Sequence, residues 1–590
     1  MKNFKHIIYF LFLGMAVLAV SCEDYLDKAE EADVTEKDVF TEFKSFQGFV
    51  EVMYGDVINL SMQQNAAVWN WGDDIYDTRR TNYFWQGDYW AILQGGRGGS
   101  PLWNSQADRG YYKSANVYQG YWQNGWAGIR TANTALAHLD DLVNATAEEK
   151  RLLEGQAYFF RGYLHWEIMR AWGGIPYVDV VLDPNADMKI PQLNFQEATE
   201  RVVADLKKAA ELLPVDWDQT ETGAATLGQN LGRITKGMAL AMMTECLVYS
   251  GSPLMNGSST GSYTYNTELM KRAAEAAWEV IKLASQGIYE LQPWTIYSDM
   301  FYMMNNTVPY SKEIIFKSLN RGNSRWNAQS FQFTSLGGGN TYGSPSQNYV
   351  ELFGMENGLP LDDPESGFDP ANPWDNRDPR FYYNIVTDGE RFVQKYNDAR
   401  AFAQLYIGGR ERNPQNSMTG YGWKKFRGLT CNNYDKGWGS SYIAEVPRLR
   451  LAEIYLYYAE AVNEAYGPGG AHPGASLTAA DAVNLVRARA QVPAVHPKFM
   501  AGKEVFRERI RDERAMELAY EGKRWYDIRR WYVAHEARYK EMYELQFDQQ
   551  HTYFRRNLFH TRIFDMRHYW LPFPTDQGSI YSGWKQNPGW

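Results

Sequence analysis

Arg448-Leu449-Arg450-Leu451-Ala452-Glu453-Ile454-Tyr455-Leu456-Tyr457-Tyr458-Ala459-Glu460-Ala461, followed by Val462, sets Leu451, Tyr455, Tyr458 and Val462 on one helical stripe, with Ala452, Leu456 and Ala459 on a narrower one beside it. Apolar residues at three- and four-residue spacing share a helix face, and a row of small side chains lets a partner helix approach closely. Gly467-Pro468-Gly469-Gly470 then breaks the chain, and Thr478 with Asp481 starts a further helix through Ala490. Downstream, Glu504 to Glu521 reads as one more helix, and along it and just beyond Arg511, Asp512, Glu513, Arg514, Glu517, Glu521 and Arg524 fall at intervals where opposite charges can pair. Such a mixed row is either a solvated face or an interhelical ionic seam, and it is not a basic nucleic-acid helix. Gly522 suits the end of that helix, and Trp525, Trp531 and Trp590 are large enough to lock the tail onto a helical body.

The same habit extends towards the amino terminus. Leu153, Ala157, Phe160, Leu164, Ile168 and Ala171 form an amphipathic stripe stopped by Gly173 and Gly174. Asn194 and Glu197 make a capping box ahead of Val202, Leu206, Ala209 and Leu213, and Pro214 ends that helix. Thr235 to Tyr249 and Thr267 to Ser285 complete the series. Helix pairs with small residues at their crossings suggest tetratricopeptide-like units, but no regular period of ~34 residues is present. The expectation is a mostly α scaffold of helix pairs with long insertions. Ala66 to Tyr121, Gly251 to Tyr265, Pro293 to Tyr349 and Leu359 to Trp438 are rich in Gly, Asn, Ser, Pro and aromatics and lack helical stripes. Loops of that length are usually functional or interfacial.

With 590 residues, 60 Lys+Arg against 70 Asp+Glu and a net charge of -10, the chain has no basic footprint for nucleic acid. Charged residues at 22% and apolar ones at 44% exclude a disordered chain and a polytopic membrane protein. Lys2, Lys5 and His6 precede an apolar run from Ile7 to Val20, shorter than the ~20 residues of a spanning helix and matched to an export signal. The run ends at Leu18-Ala19-Val20-Ser21-Cys22, which resembles a bacterial lipobox with Ala19 where Leu is usual. Cys22 is therefore the expected lipidation site, since several acyl chains at ~0.8 kcal/mol per buried methylene hold a soluble domain on a membrane. Glu23 and Asp24 resemble an outer-face export signal. Cys246 and Cys431 allow at most one disulfide, and Cys246 reads as a buried helical thiol. The expected divisions are a signal at 1–21, lipidated Cys and tether at 22–40, an N-terminal region at 41–265 and a C-terminal region at 266–590.

The stretches Arg448 to Ala461, Ala482 to Ala490, and Arg511 to Arg514 with Glu517 to Trp531 together resemble the SusD/RagB family. Asn376-Arg377-Asp378-Pro379-Arg380, Leu571-Pro572-Phe573-Pro574 and Gln586-Asn587-Pro588-Gly589-Trp590 resemble its central and closing signatures. Cys22 to Asp27, Ile129 to Asn133 and Trp172 to Pro176 agree at the other end, so the likeness covers nearly the whole chain. The resemblance implies a non-catalytic, lipid-anchored outer-membrane protein with a right-handed tetratricopeptide-like scaffold and irregular loops opposite. It implies glycan binding and capping of a SusC-like TonB-dependent transporter. One branch of the family is associated with peptides, which leaves peptide capture as an alternative.

A sugar ring offers an apolar face and a belt of hydroxyls, so its site needs Trp or Tyr platforms among Asp, Asn, Gln or Arg. Residues 69 to 104 are the densest such window. Trp85, Trp90 and Trp103 are the expected platforms, with Asp88, Arg97 and Asn104 beside them, whereas Trp69, Trp71 and Tyr76 read as core. A second set is Trp294, Tyr297, Tyr302 and Trp326. The remaining alternative, an exported glycoside hydrolase, would need carboxylates such as Asp73-Asp74, Asp362-Asp363 or Glu365 at a particular separation. No P-loop, dinucleotide fingerprint, His-Glu-x-x-His or nucleophile elbow is present. No cofactor is expected. The acids between Leu361 and Arg380 could offer oxygen ligands to a structural calcium, but lack the EF-hand order and read as a solvated loop.

Overall fold

The computed structural model describes residues 36–59, 72–76, 121–183, 185, 189–319, 333–336, 343–435, 437, 442–571, 573 and 583–590. Its frame is a stack of helices: α1 (Phe43–Glu51), α2 (Tyr121–Ala137), α3 (Ala147–Trp172), α4 (Phe195–Leu212), α5 (Lys236–Ser250), α6 (Pro253–Thr260), α7 (Thr267–Ser285), α8 (Leu451–Tyr466), α9 (Ala479–Arg489), α10 (Lys503–Glu517) and α11 (Arg524–Arg530). Each long helix packs on the next, α2 on α3, α3 on α4, α4 on α5, α5 on α7, α7 on α8, and α8 on both α9 and α10. Residues before and after 265 therefore share one stack and one continuous core. This is the mostly helical, tetratricopeptide-like scaffold that the sequence pattern calls for.

Capping follows the sequence closely. Thr146, Asn194 and Thr478 each form a capping box with the acidic residue three positions on, Glu149, Glu197 and Asp481, each satisfying backbone N–H groups that a helix start leaves open. Burial goes further than the stripes suggest. From Gly155 to Trp172 every residue of α3 except Tyr158 is buried, because α2 and α4 flank it. Gly162 permits that approach, since a Cβ there would lie 3.3 Å from the Val202 carbonyl oxygen on α4.

Two expectations are corrected and one open alternative is decided. The segment Gly251 to Tyr265 is not wholly irregular: Pro253 at its first turn starts α6, which docks on α4 and α11. The helix from Lys503 stops at Glu517 rather than Glu521, and the chain turns through left-handed Tyr520 (φ 61°) and Gly522 (φ 73°) before α11. Tyr520 is held there by parallel stacking on Trp423, centroids 5.5 Å apart. The charged row is a buried interhelical seam and not a solvated face. Arg450 donates to Glu313, Glu517 and Glu521, Arg514 to Glu453 and Asp527, and Arg530 to both oxygens of Glu460. Cys246 and Cys431 are both buried and no disulfide joins them, as the helical reading of Cys246 requires.

Most strands among the described residues are two or three residues long; those that bear on the site and the ionic seam are β1 (Ile75–Tyr76), β2 (Ile314–Phe316), β3 (Ser344–Pro345), β4 (Leu449–Arg450), β5 (Glu541–Phe547) and β6 (Phe554–Thr561). β2 pairs antiparallel with β4 and so delivers Glu313 to Arg450. β5 and β6 form a hairpin with an irregularity between Leu558 and His560. At the far end Trp570, Leu571 and Asn587 close over the end of α3. Leu571 N–H donates to Ala171 and the Asn587 amide to Trp172, while Trp590 Nε1 donates to the Trp570 carbonyl at 3.0 Å. Gly173 at φ 90° leaves room for the Trp570 ring, which a Cβ would approach to 3.3 Å.

Candidate functional site

Two of the long insertions are rooted at one place. β1 pairs antiparallel with β3, Ile75 opposite Pro345 and Tyr76 opposite Ser344. Ser346 N–H donates to the Asp74 carbonyl at 3.0 Å and its hydroxyl to that of Asp73 at 2.5 Å. Tyr76 is buried, edge-on to Phe559 of β6 at 4.6 Å, as a core residue. The start of the first aromatic insertion is thereby held beside the end of the third. Trp85, Asp88, Trp90, Arg97, Trp103, Asn104 and Trp326 lie outside the described residues, as do Trp69 and Trp71.

Of the second aromatic set, Trp294 and Tyr297 stack on each other with centroids 5.0 Å apart. Tyr297 is only 2% exposed, its hydroxyl donates to Glu517 at 3.2 Å, and the Arg489 guanidinium sits 4.5 Å from its ring. Burial pushes its phenol far above the usual range. Its ring is committed to the ionic seam, which corrects its expected role as a platform. Trp294 is half-buried against Tyr297 and Tyr383, so one ring face is already occupied. Tyr302 is half-buried beside Tyr442.

Asp73, Asp363 and Glu365, three of the acids considered for catalysis, are held in ion pairs. Arg524 binds both oxygens of Asp73, at 2.6 and 2.9 Å, and both residues are buried. Asp74 is buried too, and desolvation, helped by the Asp73 charge, pushes its carboxyl up to about 7. Lys498 bridges Asp363 at 2.7 Å and Glu365 at 2.5 Å, and Asp378 is paired with Arg380. Among the described residues no group of three or more His, Cys, Asp or Glu is placed to hold a metal ion.

A cavity of about 540 Å³ lies beside this root, lined by residues from five parts of the chain. Its lining mixes apolar residues, Leu352, Pro360, Leu361 and Phe368, with charged ones. Arg556 on β6 donates to Glu351 at 3.0 Å with its guanidinium 3.3 Å from the Tyr543 ring centroid. Arg509 is 2.8 Å from Asp512, which burial pushes above the usual carboxylate range. The Tyr543 hydroxyl donates to Glu541 at 2.5 Å, and the Asn348 side chain accepts from Tyr543 N–H at 3.2 Å. None of these residues was singled out as a ligand contact in the sequence. The alternation of Glu541-Met542-Tyr543-Glu544-Leu545-Gln546-Phe547 marks the hairpin, but nothing local in it marks a cavity.

A helical stack with loops rooted on one side and a polar-and-apolar cavity beside that root defines a scaffolded binding protein. The SusD family profile matches residues 312–590, and a second profile, described as starch-binding associating with outer membrane, matches residues 24–229. The chain belongs to the SusD family. It is 26% identical over 435 residues to the SusD-like protein P2 of Formosa agariphila, covering 71% of this chain and 72% of that one. Among solved structures, a SusD-like protein from Bacteroides fragilis superposes with a TM-score of 0.72 at 24% identity, covering 94% of this chain and 99% of that one. A SusD-like carbohydrate binding protein from the same organism superposes with a TM-score of 0.66 at 20% identity, covering 93% and 100%.

Proposed function

We propose that this protein is a cell-surface glycan-binding lipoprotein that captures oligo- or polysaccharide and passes it to a SusC-like TonB-dependent transporter in the outer membrane. The observation that carries the reading is the match of residues 24–229 to the starch-binding, outer-membrane-associating profile, with the SusD family profile covering 312–590. The pairing of β1 with β3 supports it, since it fixes Ile75–Tyr76, from which the aromatic insertion departs. Its role is binding and not catalysis, consistent with the ion-paired state of Asp73, Asp363, Glu365 and Asp378. Cys22 carries the lipid and the body faces the exterior. The test is affinity-gel retardation on a polysaccharide panel, with reducing ends and peptide binding measured in parallel. Retardation without reducing-end release is expected. Steady release would instead indicate a hydrolase, and saturable peptide binding with no retardation would indicate peptide capture.

A further inference from the structure

We propose that the cavity between the β5–β6 hairpin and the 360–368 loop is a saccharide subsite of its own, selective for uncharged sugar residues; this rests on the glycan-capture reading. Its volume of about 540 Å³ falls within the usual ~300–1,000 Å³ of small-ligand sites. It is built from α10, α11, the hairpin and the short helix Gln347–Val350, so its geometry is set by the scaffold.

The chemistry of the walls selects the ligand. Four guanidiniums and five carboxylates line the cavity. The carboxylates of Asp73, Glu351, Asp512 and Glu541 already face Arg524, Arg556, Arg509 and the Tyr543 hydroxyl, leaving Asp362 at the mouth. A guanidinium carries five N–H donors, and Arg524 spends Nε and Nη2 on Asp73 while Arg556 spends Nε on Glu351. The lining therefore offers N–H donors to hydroxyl and ring oxygens and carboxylate oxygens to hydroxyl O–H groups, the two-sided pattern a sugar needs. An anionic ligand meets five carboxylates against four guanidiniums, a balance that disfavours it relative to a neutral one. Leu352 and Phe368 supply the apolar surface that the C–H face of a pyranose needs.

The full chain and the variants Arg556→Ala and Asp362→Ala, both at partly or fully exposed positions, would be titrated with neutral, uronate-bearing and sulfated oligosaccharides of matched length. Thermal melts would run on each variant, and hydrogen exchange on the unmodified chain with and without the neutral ligand. The expected result is at least a five-fold loss of neutral-glycan affinity in Arg556→Ala at unchanged melting temperature, and protection of residues 541–561 on binding. Charged oligosaccharides should bind the unmodified chain at least ten-fold more weakly. Unchanged affinity in both variants without protection of 541–561, or tighter binding of a charged glycan, would overturn the subsite while leaving glycan capture standing. If the unmodified chain binds no glycan at all, both readings fall.

Discussion

Arg524 and Asp73, 451 positions apart in sequence, hold each other through two charge-assisted bonds of 2.6 and 2.9 Å inside the protein. The contact joins the carboxy-terminal signature Lys523-Arg524-Trp525 to the root of the first aromatic insertion, so the segment that fixes the scaffold also fixes that root. Removing one partner of a buried pair strands the other charge, at about 3–5 kcal/mol. Arg524→Met should lose that much stability to denaturant, and Asp73→Asn with Arg524→Met should lose much less than the two singles combined. Strict additivity in that double-mutant cycle would show that the two residues act independently.

The helices were legible because their signals are local. Asn194 with Glu197 and Thr478 with Asp481 announce helix starts within four residues, and both boxes form. The charged row of α10 was ambiguous because spacing reveals only neighbours on one helix. The partners of Glu513 and Glu517 arrive from Arg380, Arg450, Arg487 and Arg489 on other segments. α6 was hidden by Gly257, Ser258 and Ser259, poor helix formers whose conformation is supported by docking on α4 and α11. The cavity had no local signal at all, since its walls meet only through the fold.

Asp74 should impose a pH dependence on stability. Its carboxyl is raised from 3.8 to about 7, chiefly by burial and next by the charge on Asp73, and its Oδ1 has no hydrogen-bond partner among the described residues. A raised folded value means the native state holds the proton more tightly. The stabilisation is fully present below the unfolded value and is lost as pH climbs from about 4 through 7, by up to about 4 kcal/mol at 1.36 kcal/mol per unit. Asp74→Asn should remove that slope, so its advantage over the unmodified protein grows between pH 5 and pH 8 in chemical denaturation. Parallel stability curves would refute the assignment.

Glu460 should act in the opposite sense. Although burial alone would raise it, the Arg530 guanidinium, bonded to both its oxygens, and the Trp531 indole hold its carboxyl down at about 2. Its stabilisation is present above the unfolded value near 4.5 and disappears as pH falls towards 2, on the order of 3 kcal/mol. Glu460→Gln should therefore be destabilised at pH 7 and converge on the unmodified protein near pH 2–3. A constant gap across that window in denaturant titrations would count against the pairing.

Cys22→Ala should give a folded protein with an unaltered melting profile that no longer partitions with outer membranes. Cells lacking the proposed SusC-like transporter provide the cleanest fractionation, because such a partner would otherwise retain some of the unlipidated chain. Persistence of the variant in the detergent-resistant membrane fraction of such cells would rule out lipidation at that cysteine.

The aromatic platforms and the aromatic core should separate under alanine substitution. Trp85, Trp90 and Trp103 are proposed to stack on sugar rings, and loss of one such surface is worth about 1–3 kcal/mol on the scale of aromatic stacking on nucleic-acid bases, or ~5- to 150-fold in affinity. Their replacement should leave the melting temperature nearly unchanged. Tyr297 provides the contrast, because it is 2% exposed, bonded to Glu517 and stacked on Trp294. Tyr297→Ala empties a large buried site, for which about 3–5 kcal/mol of stability is typical, and leaves Glu517 without one of its donors. Melts and glycan titrations on all four variants therefore give two distinct signatures, lost affinity at constant stability and lost stability at constant affinity. If the three tryptophan variants instead melt early and bind normally, the sugar platform lies elsewhere, and the open face of Trp294 is the next position to substitute.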